Sequence, residues 1–180
     1  MKLHLGCGKR FIPGYIHIDI DKFDHIDYIH DISKLPIITN SSVEEIYTCG
    51  SFAYFDRQEA KLVLNEWNRV LIPGGILRIA VTNFEACVKI YQASGLDARG
   101  ILGPIFGRWN INDNQFIYQK TVYDFQSIKK LLESNNFQDT KIFDPYKVLP
   151  VGYDDASMAY IPHMDRNGLL ISLNVECNKP

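Results

Sequence analysis

No stretch of this 180-residue chain approaches the roughly 20 consecutive apolar residues that a membrane-spanning helix needs. Met1-Lys2 runs at once into a short apolar segment that meets Gly6, so a secretory leader is not expected and the chain reads as cytoplasmic. The four cysteines, Cys7, Cys49, Cys87 and Cys177, lie far apart with no C-x-x-C pair, which argues against a zinc site and against a disulfide framework. No metal set has convincing ligand spacing either; His163 with Asp155 or Asp165 is the nearest approach. An excess of one charge is also missing. A net charge of −2, with basic residues scattered, leaves no electrostatic case for nucleic acid or an anionic membrane as partner. Repeats, linkers and low-complexity segments are absent, so the whole of residues 1–180 is expected to form one domain.

What is present is an ordinary globular composition, 46% hydrophobic and 22% charged. A chain of this length can bury roughly two-thirds of its unfolded surface. Apolar runs predict strands over 2–5, 15–20, 27–30 and 45–48. From Asp56 the period changes: Ala60, Leu64, Trp67 and Leu71 recur at helical spacing, with Asp56 as cap and Glu59 three residues on. Pro73-Gly74-Gly75 is expected to stop that helix before a buried strand over 76–81. Further helices are predicted over 84–93 and 124–135, and strands over 140–143 and 169–177. Residues 100–119 show no period and are expected to be a long loop, as are residues 146–168. Strands followed by strand–helix alternation imply an α/β sheet with helices on its faces.

The stretch "LHLGCGKRFIPGYIHIDID", residues 3–21, sets a glycine turn and an acid-tipped strand almost back to back. Glycines at the carboxyl end of a first strand let a ligand approach the backbone, because no Cβ stands in the way. A carboxylate ending the neighbouring strand can accept both hydroxyls of a ribose. Only residues 9–14 separate the two runs, however, and a parallel crossover usually needs a dozen or more. On spacing alone, a β-hairpin turning at Pro13-Gly14 and a shortened crossover both remain open.

Other segments bear on that choice: "HDISKLP" (30–36), "EWNRVLIPGGILRIAV" (66–81), "FQSIKKLLESNNFQDTKIF" (125–143) and "AYIPHMDRNGLLISLNVE" (159–176). Together with the glycine turn they resemble the class I S-adenosylmethionine-dependent methyltransferases. Within that superfamily the chain is similar to small methyltransferases associated with polysaccharide and sugar modification. The resemblance implies a seven-stranded, mostly parallel sheet with its last strand antiparallel, helices on both faces, and a first crossover helix abbreviated to a turn. It implies S-adenosylmethionine as cofactor. Leu5, Gly6, Cys7 and Gly8 would form the floor under its methionine part, and Asp19 would accept the ribose hydroxyls, with Asp21 in reserve. Asp31 and Ile32 would face the adenine, and Gly50 would let the methionyl end approach. Family members usually carry a histidine-bearing stretch after the fourth strand, whereas here Gly50-Ser51-Phe52-Ala53-Tyr54 stands in its place.

Methyl transfer gains much of its rate from positioning, and only a hydroxyl acceptor also needs a base. The polar groups of the two loops are the candidates: His163, Asp155 and Tyr160 foremost, with Tyr118 and Asp154. The expected partner is a small-molecule methyl acceptor, a sugar nucleotide or polysaccharide precursor. Two other functions compete. A nicotinamide-dependent oxidoreductase would need the third glycine of G-x-G-x-x-G and a helix after it, and Arg10 and Phe11 stand there instead. A non-catalytic cofactor-binding module would keep the turn without the chemistry.

Overall fold

A computed structural model describes residues 1–111, 115–162 and 165–180. Seven strands form the central sheet: β1 (Lys2–Leu5), β2 (Ile16–Asp19), β3 (Tyr28–Ile29), β4 (Val43–Cys49), β5 (Leu71–Thr82), β6 (Gln138–Ile142) and β7 (Ser172–Asn178). Their spatial order is β3-β2-β1-β4-β5-β7-β6. The pairs from β3 through β5 are parallel, and β7 runs antiparallel to both of its neighbours.

The hairpin is ruled out, since β1 and β2 are parallel, with Leu3 opposite Ile16 and Leu5 opposite Ile18. Residues 6–15 make the crossover without a helix. They plug Ile12, 1% exposed, into a small cluster with Tyr47, Phe143 and Leu149. The Ile12 amide donates to His17 Nε2 on β2 (3.0 Å), which pins the loop to the strand it leads into.

The opposite face carries the main core. Helix α1 (Glu59–Val70) turns Ala60, Val63, Leu64, Trp67 and Val70 onto Leu3, Leu5, Ile46 and Leu77. Asp56 and Glu59 cap it reciprocally: the Asp56 carboxylate accepts the Glu59 amide (2.9 Å) while the Glu59 carboxylate accepts the Asp56 amide (2.7 Å). The expected turn at Pro73-Gly74-Gly75 lies inside β5, not before it. Pairing with β4 skips there from Val43–Leu71 to Glu45–Ile76, so the three residues form a bulge. Gly75 is required in it, because a Cβ would stand 2.8 Å from the Ile72 carbonyl oxygen.

Helix α2 (Phe84–Ala93) has the expected bounds, and α4 (Phe125–Glu133) begins on a capping box between Asp124 and Ser127. Residues 100–119 differ from expectation. They hold helix α3 (Arg99–Phe106), whose Gly100, Gly103 and Pro104 disguise it, and a two-stranded ribbon of Trp109–Asn110 with Phe116–Ile117. The expected final strand is also divided. Leu169–Leu170 pairs with Tyr160–Ile161 in a separate ribbon before β7 begins.

Candidate functional site

Strand order reverses at β1, where the chain leaves toward β2 on one side and β4 lies on the other. Open α/β sheets bind ligands outside the carboxyl ends of their strands at such a point. A cleft of about 930 Å³ opens there. Gly6 and Gly8 floor it in left-handed conformations, φ +62° and +53°. A Cβ on Gly6 would stand 2.5 Å from that of Ser51, so the turn tolerates glycine alone. Leu5 lies fully buried beneath the turn and does not reach the cleft; its carbonyl accepts the Ser51 hydroxyl at 3.4 Å.

Asp19, at the end of β2, is 5% exposed and lines the cleft. One of its oxygens accepts the Gly8 amide (2.8 Å) and the other the Asp21 amide (2.9 Å). A carboxylate has about four lone-pair sites, so both oxygens can accept again. Asp21 does not line the cleft; its carboxylate accepts the indole N–H of Trp109 at 3.0 Å. That indole hangs over the glycine turn, 3.1 Å from where a Cβ on Gly8 would stand. Nothing in the sequence marked Trp109, because its place depends on a ribbon hidden inside an aperiodic segment.

Asp31 and Ile32 also line the cleft. Asp31 is exposed and uses one oxygen to accept the Ser33 amide (2.8 Å), a local turn contact. Ile32 is buried, and its carbonyl accepts the Trp67 indole N–H from α1 at 2.9 Å, so the helix holds this wall in place. Gly50, φ +75°, stands at the end of β4 with open space where a side chain would be.

Of the catalytic candidates, Asp155 and Tyr118 line the same cleft. Asp155 is 8% exposed; it accepts the Tyr47 hydroxyl at 2.6 Å and the Ser157 amide at 2.8 Å. Burial, reinforced by the charge of Asp155, pushes the Tyr47 hydroxyl far above its ordinary range, so Tyr47 is a fixed donor. Tyr153 and His4 join this wall. Tyr160 lies on the outer ribbon and does not line the cleft, and Asp154 is exposed and paired with Arg10 at 3.5 Å. His163 lies outside the described residues.

Both thiols in the cleft are held protonated. Burial, then the nearby Asp19, pushes Cys7 up to about 12, and burial with Asp155 pushes Cys49 well up. Among the described residues no cluster of three or more histidine, cysteine or acidic side chains could hold a metal ion.

The sheet order and the position of the cleft define the fold of the S-adenosylmethionine-dependent methyltransferases, and solved structures share it. One, from Methanosarcina mazei, is 17% identical over 99% of this chain and 91% of its own, with a TM-score of 0.60. Another, from Archaeoglobus fulgidus, is 13% identical over 99% and 85%, with a TM-score of 0.58. The 1,6-didemethyltoxoflavin N1-methyltransferase of Burkholderia thailandensis, solved with 1,6-didemethyltoxoflavin and S-adenosylhomocysteine bound, is 11% identical over 99% and 70%, with a TM-score of 0.55. At these identities the likeness is one of fold. No protein-family model matches the chain, and no curated protein matches it in sequence.

Proposed function

We propose that the protein binds S-adenosylmethionine in this cleft and transfers its methyl group to a small-molecule acceptor. The observation that carries the reading is the pair of left-handed glycines flooring a cleft whose wall bears the Asp19 carboxylate. The cleft's volume, about 930 Å³, suits a nucleoside-sized cofactor together with an acceptor. Gly6 and Gly8 admit the methionine part, Asp19 accepts the ribose hydroxyls, and Asp31 and Ile32 flank the adenine. Gly50 leaves room for the methionyl end. When bound, the cofactor supplies an electrophilic methyl group on a sulfonium centre.

Asp155 is the described side chain best placed to take a proton from a hydroxyl acceptor. Tyr47 and the Ser157 amide fix its orientation. His163 is proposed as a further base and Tyr118 as an acceptor contact, with residues 100–119 and 146–168 forming the acceptor side; Tyr160, outside the cleft, is given no part in it. The resemblance in sequence favours a sugar nucleotide or polysaccharide precursor as acceptor and the cytoplasm as the place of action. Among the described residues no helix is long and apolar enough to cross a membrane.

A nicotinamide cofactor fits less well. The residues after Gly8 cross to β2 without a helix, so no helix N-terminus is aimed at a pyrophosphate. Calorimetric titration tests the choice. S-adenosylmethionine or S-adenosylhomocysteine should bind and NAD should bind much more weakly; NAD binding as tightly would refute the methyltransferase reading.

A further inference from the structure

The indole of Trp109 lies across the glycine turn, and a closed ring of contacts holds it there. Asp19 accepts the Gly8 amide through one oxygen (2.8 Å) and the Asp21 amide through the other (2.9 Å). Asp21 in turn accepts the Trp109 indole N–H at 3.0 Å. The benzo edge of the same indole returns to the turn, with Cη2 and Cζ2 at 3.1 and 3.3 Å from where a Cβ on Gly8 would stand. Such a contact is tighter than ordinary packing, so glycine at position 8 makes room for the indole.

Trp109 belongs to the two-stranded ribbon, opposite Ile117. The foot of the ribbon is tied to the segment after β4: the Gln119 amide donates to the Phe106 carbonyl (2.7 Å) and the Lys120 amide to the Ala53 carbonyl (2.8 Å). Between that foot and Asp21, beyond the end of β2, lie β1 and its glycine turn. Trp109, Phe116 and Ile117 all line the cleft, so this wall is apolar. The cleft keeps its volume of about 930 Å³ with the indole in place, so a ligand enters without displacing it.

We propose that Trp109 is a cofactor-binding residue: its indole is a fixed wall against which S-adenosylmethionine packs above the glycine turn, and Asp21 is the residue that positions it. The proposal rests on the methyltransferase reading. It adds to that reading a side chain from the acceptor-side segment, 88 residues from Asp21 in sequence.

The test uses the whole protein and S-adenosylhomocysteine, titrated by calorimetry and by tryptophan fluorescence. Binding should change the indole emission, and Trp109→Phe, which keeps Trp67, should lose most of that change. Trp109→Ala should weaken binding at least about 10-fold, the worth of roughly 55 Å² of apolar surface left uncovered. Trp109→Phe keeps a ring but not the N–H, and Asp21→Ala removes its acceptor. Each should weaken binding roughly 2- to 10-fold, as for one lost hydrogen bond. Because Asp21 acts through the indole, Asp21→Ala should add less than about 2-fold in the Trp109→Ala background. A role confined to folding would lower the urea midpoint and leave the affinity of the folded variants unchanged. Unchanged affinity in Trp109→Ala overturns the proposal, and so does tighter affinity, which would make the indole a plug that the cofactor displaces. It is also overturned by an emission that binding leaves unaltered, or by an Asp21→Ala loss undiminished without the indole. If Trp109→Ala does not fold, Trp109→Phe and the emission decide it. Failure of the unaltered protein to bind S-adenosylhomocysteine overturns the methyltransferase reading and the proposal with it; binding indifferent to Trp109 overturns the proposal alone.

Discussion

Asp19 and Asp21 differ by two residues on one strand, yet the structure gives them different work. Asp19 closes the glycine turn from the cleft side, whereas Asp21 holds Trp109 above it. Asp19→Ala should remove charge-assisted hydrogen bonds worth about 1.5–3 kcal/mol, a roughly 10- to 150-fold loss of S-adenosylhomocysteine affinity by calorimetry. Asp21→Ala should cost less; a larger loss there would mean the roles are exchanged. Gly6→Ala should destabilise the fold itself. A left-handed backbone costs a side-chain-bearing residue about 1–2 kcal/mol, and the contact with Ser51 adds to it, so the urea midpoint should fall clearly. These residues were legible in the sequence because a positive φ leaves a mark, glycine, at the position that needs it. The pairing of Tyr47 with Asp155 left none. Its partners stand 108 residues apart, and only the folded sheet brings them together.

Elements followed the sequence where they bury a stripe and escaped it where they do not. Helix α1 repeats its apolar residues at helical spacing because that face meets the core. Helix α3 has no fully buried residue, so no stripe was there to read, and its glycines and Pro104 resemble a loop. The first crossover was undecidable for another reason: Ile12, a single plug, replaces a helix, and one isoleucine has no period. Helix α1 also supports the cleft through the indole of Trp67. Trp67→Phe keeps most of the packing but orphans the buried Ile32 carbonyl. It should cost about 1–3 kcal/mol in chemical unfolding and loosen the Ile32 wall of the cleft. A smaller effect, about 0.5–2 kcal/mol with cofactor affinity unchanged, is expected for Asp124→Ala, which removes the cap of α4 at a distance from the cleft.

For the whole molecule, the absence of a first crossover helix leaves one sheet face covered by the crossover loop, the short helix Pro145–Val148 and ring-bearing side chains, among them His4 and His17, each 1% exposed. Burial, then the neighbouring charges of His17 and His25, lowers His4 to about 3, and burial lowers His17 although Asp27 works against it. His17 Nε2 accepts the Ile12 amide, so its protonation would also release the crossover loop. Both groups have folded pKa values below their unfolded values near 6.5. Their neutral forms favour the fold fully above that pH, and stability falls as the unfolded chain takes up protons below it. For His4 the slope approaches about 1.4 kcal/mol per pH unit. Unfolding midpoints should therefore drop between pH 6.5 and 5, before the carboxylates contribute. His4→Phe, which also removes a buried nitrogen with no partner, should flatten that drop. At the carboxyl edge of the sheet the glycine turn, Asp19 and Asp155 converge on one cleft. The most direct test of what that cleft is for is a crystal structure of the protein grown with S-adenosylhomocysteine. The account predicts density with the ribose hydroxyls on Asp19, the methionine part over Gly6 and Gly8, and the adenine between Asp31 and Ile32. An empty cleft at saturating ligand, or the nucleoside bound elsewhere on the molecule, would contradict it.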